Sequence, residues 1–257
     1  GGSGSTSTDL IFRTANSGTE SESVRINSSG RLLVGTSSSR SVGYGGHGSI
    51  QLEGTDYQKA SISNVLNSND ADAPSINFAK SRGTSNGSST VVQNNDKLGV
   101  INFSAGDGTD ILSQGARITC EVDGTPGSND MPGRLILATT ADGASTSTER
   151  MRLTSSGNMG LGETSPDTRL HIKESTTGGT GIFIQNSNGA TNSSADLYFG
   201  NWSGSSTTTP QARISAINEN VNTAATTLAV SIYDGSSTTE RMRIASNGDI
   251  GIGIAPA

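Results

Sequence analysis

The residues best placed by type and spacing to do chemistry are two carboxylates, Glu121 and Asp123, with Asp130 a few positions further on. Glycosidases hold two carboxyl groups about 5–10 Å apart across the scissile bond, and residues two apart on a strand share a face. The spacing therefore allows glycoside hydrolysis. Charged side chains on an exposed strand are ordinarily just solvated, so the favoured interpretation is structural, and we expect no enzymatic activity and no catalytic residue.

The two histidines are the candidates for metal binding. His47 lies in a glycine-rich stretch, and His171 alternates with Leu170 and Ile172, which predicts that it faces away from them. Three copies of one histidine around a threefold axis would form a metal site, but a surface or packed histidine is the favoured interpretation. The stretch 107–110 lacks EF-hand spacing and is typical of a hairpin turn. We expect no metal and no cofactor.

Aromatic rings beside amides are the residue types that stack on and hydrogen-bond to sugars. Tyr198 and Trp202 fall on one side of the strand alternation next to Asn201, and Tyr44 lies in a glycine-rich stretch. The alternative is that Tyr198 or Trp202 fills a core between sheets. We predict these four residues as receptor-binding, with the polar loop 124–132 as a further exposed candidate.

The composition excludes several classes of protein. The 257 residues include 34 Gly, 41 Ser and 30 Thr, and only 30% are hydrophobic. A net charge of −6 leaves no basic stripe for nucleic acid, and no apolar run approaches the length of a membrane span. The chain does not start with a charged stretch and an apolar run, so we expect no signal peptide and synthesis in a host cytoplasm. The single Cys120 excludes an intrachain disulfide.

Three copies of one motif organise the chain. They read ESVRINSSGRLLVG from Glu22, TERMRLTSSGNMGLG from Thr148 and TERMRIASNGDIGIG from Thr239. The blocks before the last two copies also match, so that Ala116 aligns with Ala212 and Ala138 with Ala229. We predict a linker or cloning remnant at 1–8, a leading motif at 9–41, and two larger β units at 42–166 and 167–257.

Period-two alternation of apolar and polar residues dominates each unit, and turn signals such as Ser29–Gly30 and Asn247–Gly248 separate the runs. We predict an all-β fold with a repetitive short-strand fibrous architecture, an intertwined homotrimer built of β-sandwich-like or β-helical modules. Glycines alternate with the apolar residues of the last motif strand, which leaves one face open to a close backbone or large side chain. The predicted trimer core consists of Met151, Leu153, Met159, Leu161, Met242, Ile244, Ile250 and Ile252.

The low apolar content favours an oligomer over the alternative, a monomeric β-sandwich. Ordering costs roughly 1–2 kcal/mol per residue, and apolar burial returns about 25 cal/mol per Å². A chain this polar must bury nearly all of its apolar side chains, and chains that intertwine bury more of them than a monomer of short strands does.

The motif copies resemble recurrent segments of bacteriophage tail fibres and related phage adhesins, with the pattern ERMRI-xx-GNVGIGT-xx-P. The resemblance covers nearly the whole chain after residue 8, although the first copy has Leu33 in place of a motif glycine. It implies a homotrimeric segment of the virion tail fibre that contacts other tail proteins and attaches to a bacterial surface receptor, a glycan by preference. In such fibres the motif often precedes an intramolecular chaperone, and a chain ending here fits a mature or truncated fibre.

Two alternatives remain open at this point. Some fibres degrade polysaccharide, so the chain could be a depolymerase that acts on capsule or lipopolysaccharide. The same repeats would also serve a fibre of a bacterial injection system.

Overall fold

The computed structural model describes residues 7–43, 46–175, 181–200, 211–220, 223 and 225–253. Every regular element in these ranges is a β-strand, which confirms the all-β prediction. None of the described residues forms a helix that could cross a membrane. The chain clusters into two compact units, 1–179 and 180–257; the segment boundaries predicted from the repeats stay predictions.

The first unit contains two sheets. The four-stranded sheet has the order β1-β2-β3-β4. Its strands are β1 (Leu10–Asn16), β2 (Thr19–Ile26), β3 (Leu32–Val34) and β4 (Ile50–Leu52). The six-stranded sheet has the order β10-β9-β8-β7-β6-β5. Its strands are β5 (Lys97–Ala105), β6 (Ser113–Val122), β7 (Gly133–Thr139), β8 (Thr148–Leu153), β9 (Met159–Leu161) and β10 (Leu170–Ile172).

The second unit contains a five-stranded sheet of order β11-β12-β13-β14-β15. Its strands are β11 (Ser194–Phe199), β12 (Ala212–Asn220), β13 (Ala225–Tyr233), β14 (Thr238–Ile244) and β15 (Ile250–Ile252). Neighbouring strands pair antiparallel except β3–β4 and β9–β10, which pair parallel. The sheets are therefore meanders, and each of the first two ends in one parallel strand.

Each motif copy folds as a hairpin with the predicted turn. The turn glycines Gly30, Gly157 and Gly248 have φ values of 74°, 77° and 93°, a region that glycine enters without steric cost. Their amides donate to the backbone carbonyls three residues earlier, at 2.8–2.9 Å. The repeat thus encodes one local structure three times.

The match of Ala138 with Ala229 is wrong by two residues. Ala138 pairs with Glu149 in β8, whereas in the second unit Ser231 pairs with the equivalent Glu240. The β7–β8 turn is longer than the β13–β14 turn, so the ungapped alignment slips. A slip of two residues leaves every side chain on the same face of the sheet. The alternation in the sequence therefore still predicts the correct faces.

The stretch 53–96 between β4 and β5 forms no strand, and most of its side chains are exposed. Its apolar residues Tyr57, Ile62 and Val65 are 81%, 72% and 78% exposed. The Arg82 guanidinium holds the end of the segment through Nε and Nη2, which donate to the Asp96 carboxylate at 2.6 and 2.8 Å. Val92 is buried, but most of the apolar side chains of this segment remain uncovered.

Candidate interaction surface

Each sheet carries two rows of apolar side chains that cross its whole width on one face; we call these the apolar rows. In the six-stranded sheet the strand register places one residue per strand in each row, and Gly99 is the one row member without a side chain. The first row is Ile101, Ile118, Leu137, Met151, Leu161 and Ile172. The second is Gly99, Cys120, Leu135, Leu153, Met159 and Leu170.

The other two sheets repeat this arrangement. The rows of the five-stranded sheet are Leu197, Ile214, Val230, Met242 and Ile252, and Ala195, Ala216, Leu228, Ile244 and Ile250. Those of the four-stranded sheet are Phe12, Val24, Val34 and Leu52, and Leu10, Ile26, Leu32 and Ile50. All eight residues predicted as trimer core lie in apolar rows. The remaining row members show the same alternation of apolar and polar residues in the sequence. The predicted core includes residues of the last two motif copies only.

The apolar rows are the uncovered side of every sheet. Leu153 is 41% exposed in the six-stranded sheet, and Ile250 and Ile252 are 61% and 76% exposed in the five-stranded sheet. On the opposite faces, Thr119 and Ser215 are 1% and 0% exposed. The opposite faces also hold the buried apolar residues Leu33, Ile136 and Ala229, at 0%, 4% and 1% exposed. The apolar rows are therefore a second, uncovered apolar face, and contiguous exposed apolar surface of this kind marks an interaction site.

The polar faces are covered by ion pairs built into the motif. Arg152 donates from Nε and Nη2 to the two carboxylate oxygens of Glu149, at 2.6 and 2.8 Å. The pairs Glu22–Arg25 and Glu240–Arg243 repeat this bidentate contact. Arg243 lowers the pKa of Glu240 through its hydrogen bonds, against a smaller effect of burial. These pairs satisfy the charged groups of the three motif copies within the chain.

A β-bulge explains how residues three apart come to share a face. In a regular strand they point to opposite sides, but the register slips once where the first strand of each motif copy pairs with the strand before it, in β1–β2, β7–β8 and β13–β14. The extra residues are Ser23, Arg150 and Arg241, and their carbonyls accept from the amides of Gly35, Gly162 and Gly253 at 3.2, 2.9 and 2.9 Å. The bulge therefore forms part of the encoded motif.

The bare glycine face predicted for the motif strand is confirmed at Gly160. The backbone of Glu163 crosses this face, and a β-carbon at Gly160 would collide with its carbonyl oxygen. Glu163 is itself 9% exposed and binds Lys173 Nζ at 2.7 Å. In the first copy Leu33 occupies the same position and is fully buried, so this copy accommodates a side chain where the second does not.

Cys120 lies in an apolar recess of the six-stranded sheet. The recess measures about 400 Å³ and is also lined by Phe78, Ile118 and Leu135. Phe78 sits against Gly99, where a β-carbon would lie 2.8 Å from the Phe78 β-carbon. The thiol is free and half-buried, and it packs as a small apolar group in its row.

The predicted receptor residues fall largely outside the described part of the chain. Asn201, Trp202 and Tyr44 lie outside the described residues. Tyr198 is 53% exposed, and its hydroxyl donates to Asp196 Oδ2 at 2.8 Å. Although it lies on the polar face of β11, its exposure leaves the ring available to a ligand from solvent.

The loop 124–132 forms one wall of an open groove of about 780 Å³. Pro126 and Met131 come from this loop, and Lys80 and Thr90 from the segment before β5. A turn closes the loop, in which the Gly127 amide donates to the Asp130 carbonyl at 2.9 Å. The groove presents hydroxyls and one cation around an apolar floor.

Glu121 and Asp123 share a face, as the alternation predicts, and Arg134 binds both. Its Nη2 donates to Glu121 at 2.7 Å and its Nη1 to Asp123 at 2.9 Å. Burial raises the pKa of Asp123, but the Ser155 amide and Arg134 outweigh it and hold that pKa below its ordinary value. This geometry is that of an ion-pair cluster.

The histidines and the 107–110 turn take structural positions. His171 lies opposite Gly160 and away from Leu170, as predicted, and its Nδ1 accepts from the Asp167 amide at 3.5 Å. Asp107 closes the β5–β6 hairpin by accepting from two turn amides and the Ser113 hydroxyl. No cluster of three metal-binding side chains occurs among the described residues.

Comparison with known proteins finds no matching family model and no matching curated protein. Two solved structures of the bacteriophage T5 L-shaped tail fibre match. One is its carboxy-terminal domain, with a TM-score of 0.39, 13% identity, and coverage of 76% of this chain and 91% of that chain. The other is the domain with its intramolecular chaperone domain, with a TM-score of 0.39, 13% identity, and coverage of 75% and 62%. Both likenesses are distant in sequence and in superposition.

Proposed function

We propose that this chain is a structural and adhesive segment of a bacteriophage tail fibre, which assembles as a homotrimer and helps the virion attach to a bacterial surface. The observation that carries the proposal is the uncovered state of the apolar rows on all three sheets. The motif resemblance supplies the fibre context, with other tail proteins and a surface receptor, preferably a glycan, as partners.

The exposed area supports assembly. Row residues are well exposed in all three sheets, with Ile26 at 40%, Leu153 at 41% and Ile250 at 61%. Exposed apolar surface that crosses a whole sheet is typical of an interface. Copies of the same chain would cover it without any second gene product.

The solution mass tests the trimer. Multi-angle light scattering of the full chain is expected to give about three times the mass of one chain. A monomer at micromolar concentration contradicts the proposal, because the apolar rows would then be stable in water. A dimer contradicts the threefold arrangement alone.

Deposition on cells tests attachment. The fluorescently labelled chain is incubated with a panel of bacterial strains, and bound label is counted by flow cytometry. We expect Trp202→Ala to reduce deposition on a strain that binds the parent chain, since stacking on a sugar ring needs the indole. Tyr57→Ala, which removes an exposed ring from the segment between β4 and β5, is the control, and an equal loss in both variants contradicts a specific role for Trp202.

A reducing-sugar assay on the same strains separates adhesion from depolymerisation. Arg134 already binds both carboxylates of the hydrolytic candidate, so we expect no release of reducing ends from capsule or lipopolysaccharide. Sugar release that Glu121→Gln abolishes would establish the depolymerase alternative.

A further inference from the structure

The tripeptide Ser-Asn-Gly occurs three times in the chain, at 85–87, 187–189 and 246–248. An asparagine carboxamide in this setting lies near the backbone nitrogen of the next residue, and glycine adds no side chain that would hinder their approach. All three asparagines are exposed in the structure. Local sequence and exposure therefore treat the three positions alike, and their hydrogen bonds are what distinguishes them.

The Asn247 carboxamide is held at both of its polar atoms. Its Nδ2 donates to Asp249 Oδ2 at 2.8 Å, and its Oδ1 accepts from the Asp249 amide at 3.0 Å. The Gly248 amide is also engaged, since it donates to the Ala245 carbonyl at 2.9 Å. Rotation of the carboxamide towards the Gly248 nitrogen would therefore break several hydrogen bonds.

Asn188 is held at one polar atom. Its Oδ1 accepts from the Ala190 amide at 3.2 Å, the Asx turn that asparagine commonly forms with the residue two positions on. Within the described ranges, the Asn188 Nδ2 and the Gly189 amide have no hydrogen-bond partner. This position is therefore less restrained than Asn247.

Asn86 lies in a turn that its neighbours close without its side chain. The Ser88 amide and hydroxyl donate to the Ser85 carbonyl at 3.1 and 2.6 Å, and Gly87 has a φ of 81°. Among the residues that the structure describes, neither the Asn86 carboxamide nor the Gly87 amide has a hydrogen-bond partner. The carboxamide can therefore turn towards the Gly87 nitrogen without breaking a hydrogen bond.

We propose that Asn86 is a site of spontaneous deamidation, which reacts faster than Asn188 and Asn247. The Gly87 nitrogen attacks Asn86 Cγ and gives its proton to a buffer base. The new N–Cγ bond forms as the Cγ–Nδ2 bond breaks, and Nδ2 takes up a proton and leaves as ammonia. Water then opens the cyclic imide at either carbonyl, which yields aspartate or an isoaspartate whose main chain runs through Cγ.

The reaction changes the charge beside a surface already described. Ser88 and Thr90, which follow Asn86 in the chain, line the open groove together with Lys80. Both products carry a carboxylate two residues from this groove wall, and isoaspartate also adds one carbon to the main chain of the turn. The ranking of the three positions comes from hydrogen bonds within one chain, so it is separate from the fibre proposal.

Peptide mass spectrometry on the full chain tests the ranking. The protein is incubated in mildly alkaline buffer, and trypsin places the three asparagines in separate peptides because lysine or arginine residues lie between them. The mass gives the loss of each amide, and chromatography separates the aspartate and isoaspartate forms. We expect Asn86 to react roughly tenfold faster than Asn247, whose hydrogen bonds must break first, with Asn188 between them.

The same incubation in concentrated urea is the control for structure, and there the three positions should react at similar rates. Equal rates in native buffer, or a ranking that persists in urea, would overturn the proposal. Asn86→Gln is the control for position, because it keeps an amide at the turn but can close only a larger ring. Amide loss that continues unchanged in this variant's peptide would belong to Asn94 or Asn95 and would also overturn the assignment.

Discussion

Gly160 shows what a single residue does for the motif. The crossover after β9 runs directly over its bare face, and an added β-carbon would collide with the Glu163 backbone. Gly160→Ala is expected to lower the free energy of unfolding by about 1–3 kcal/mol, the usual cost of overpacking. Urea unfolding followed by circular dichroism measures this loss.

Gly46→Ala is the matched control in the same unit. A β-carbon at Gly46 meets no atom within 4 Å, and its backbone is not left-handed, so we expect a change within about 0.5 kcal/mol. Similar losses in the two variants would show that the close backbone contact does not set the cost at Gly160.

The β5–β6 hairpin shows how an element depends on one ionised side chain. The Ser113 hydroxyl and the amides of Thr109 and Asp110 lower the pKa of Asp107 to about 2. An unfolded aspartate titrates near pH 4, so the hairpin gains stability above about pH 4 and loses it as the pH falls towards 2. Glu163, bonded to Lys173 and with its pKa also lowered to about 2, acts in the same direction.

Asp107→Asn tests this linkage. The variant should be less stable than the parent at pH 7, because the turn loses its charged acceptor, and its stability should fall less between pH 4 and pH 2. The urea midpoint measured against pH follows both effects. Asp142→Asn, in the exposed β7–β8 turn, is the control, and parallel pH curves for the parent and Asp107→Asn would contradict the role of Asp107.

At the scale of the whole molecule, the apolar rows predict which surface holds copies together. Phe103 follows Ile101 on the same face of β5 and is 53% exposed. Phe103→Glu should reduce the light-scattering mass towards one chain while the β-sheet circular dichroism persists, because a charge buried between copies costs several kcal/mol. The midpoint of thermal unfolding should also lose its dependence on protein concentration.

Asn102→Glu is the control for association, since Asn102 is the neighbouring exposed residue on the opposite face of the same strand. It adds the same charge to the face opposite the apolar rows, which is not expected to contact another copy. The light-scattering mass should therefore equal that of the parent chain. Dissociation by Asn102→Glu and not by Phe103→Glu would place the interface on the polar faces.

The sequence by itself determined the all-β class, the positions of the turns and the three motif copies, because period-two alternation and glycine turns are local properties of the chain. It also placed Met151, Leu161 and Ile252 on the same kind of face, since alternation fixes which side chains share a side. The carboxylate pair could be assigned to one face but not to an ion pair, because Arg134 reaches it only through strand pairing.

Only the tertiary structure decided the rest. Alternation says which residues share a face but not which face is left uncovered, and that depends on the crossovers and ion pairs that close the polar side. The bulge at Arg150 and the parallel strand β10 depend on hydrogen bonds between residues far apart in sequence. The crossing of Gly160 by the Glu163 backbone likewise belongs to the tertiary structure, because the sequence shows the glycine but not the backbone that lies against it.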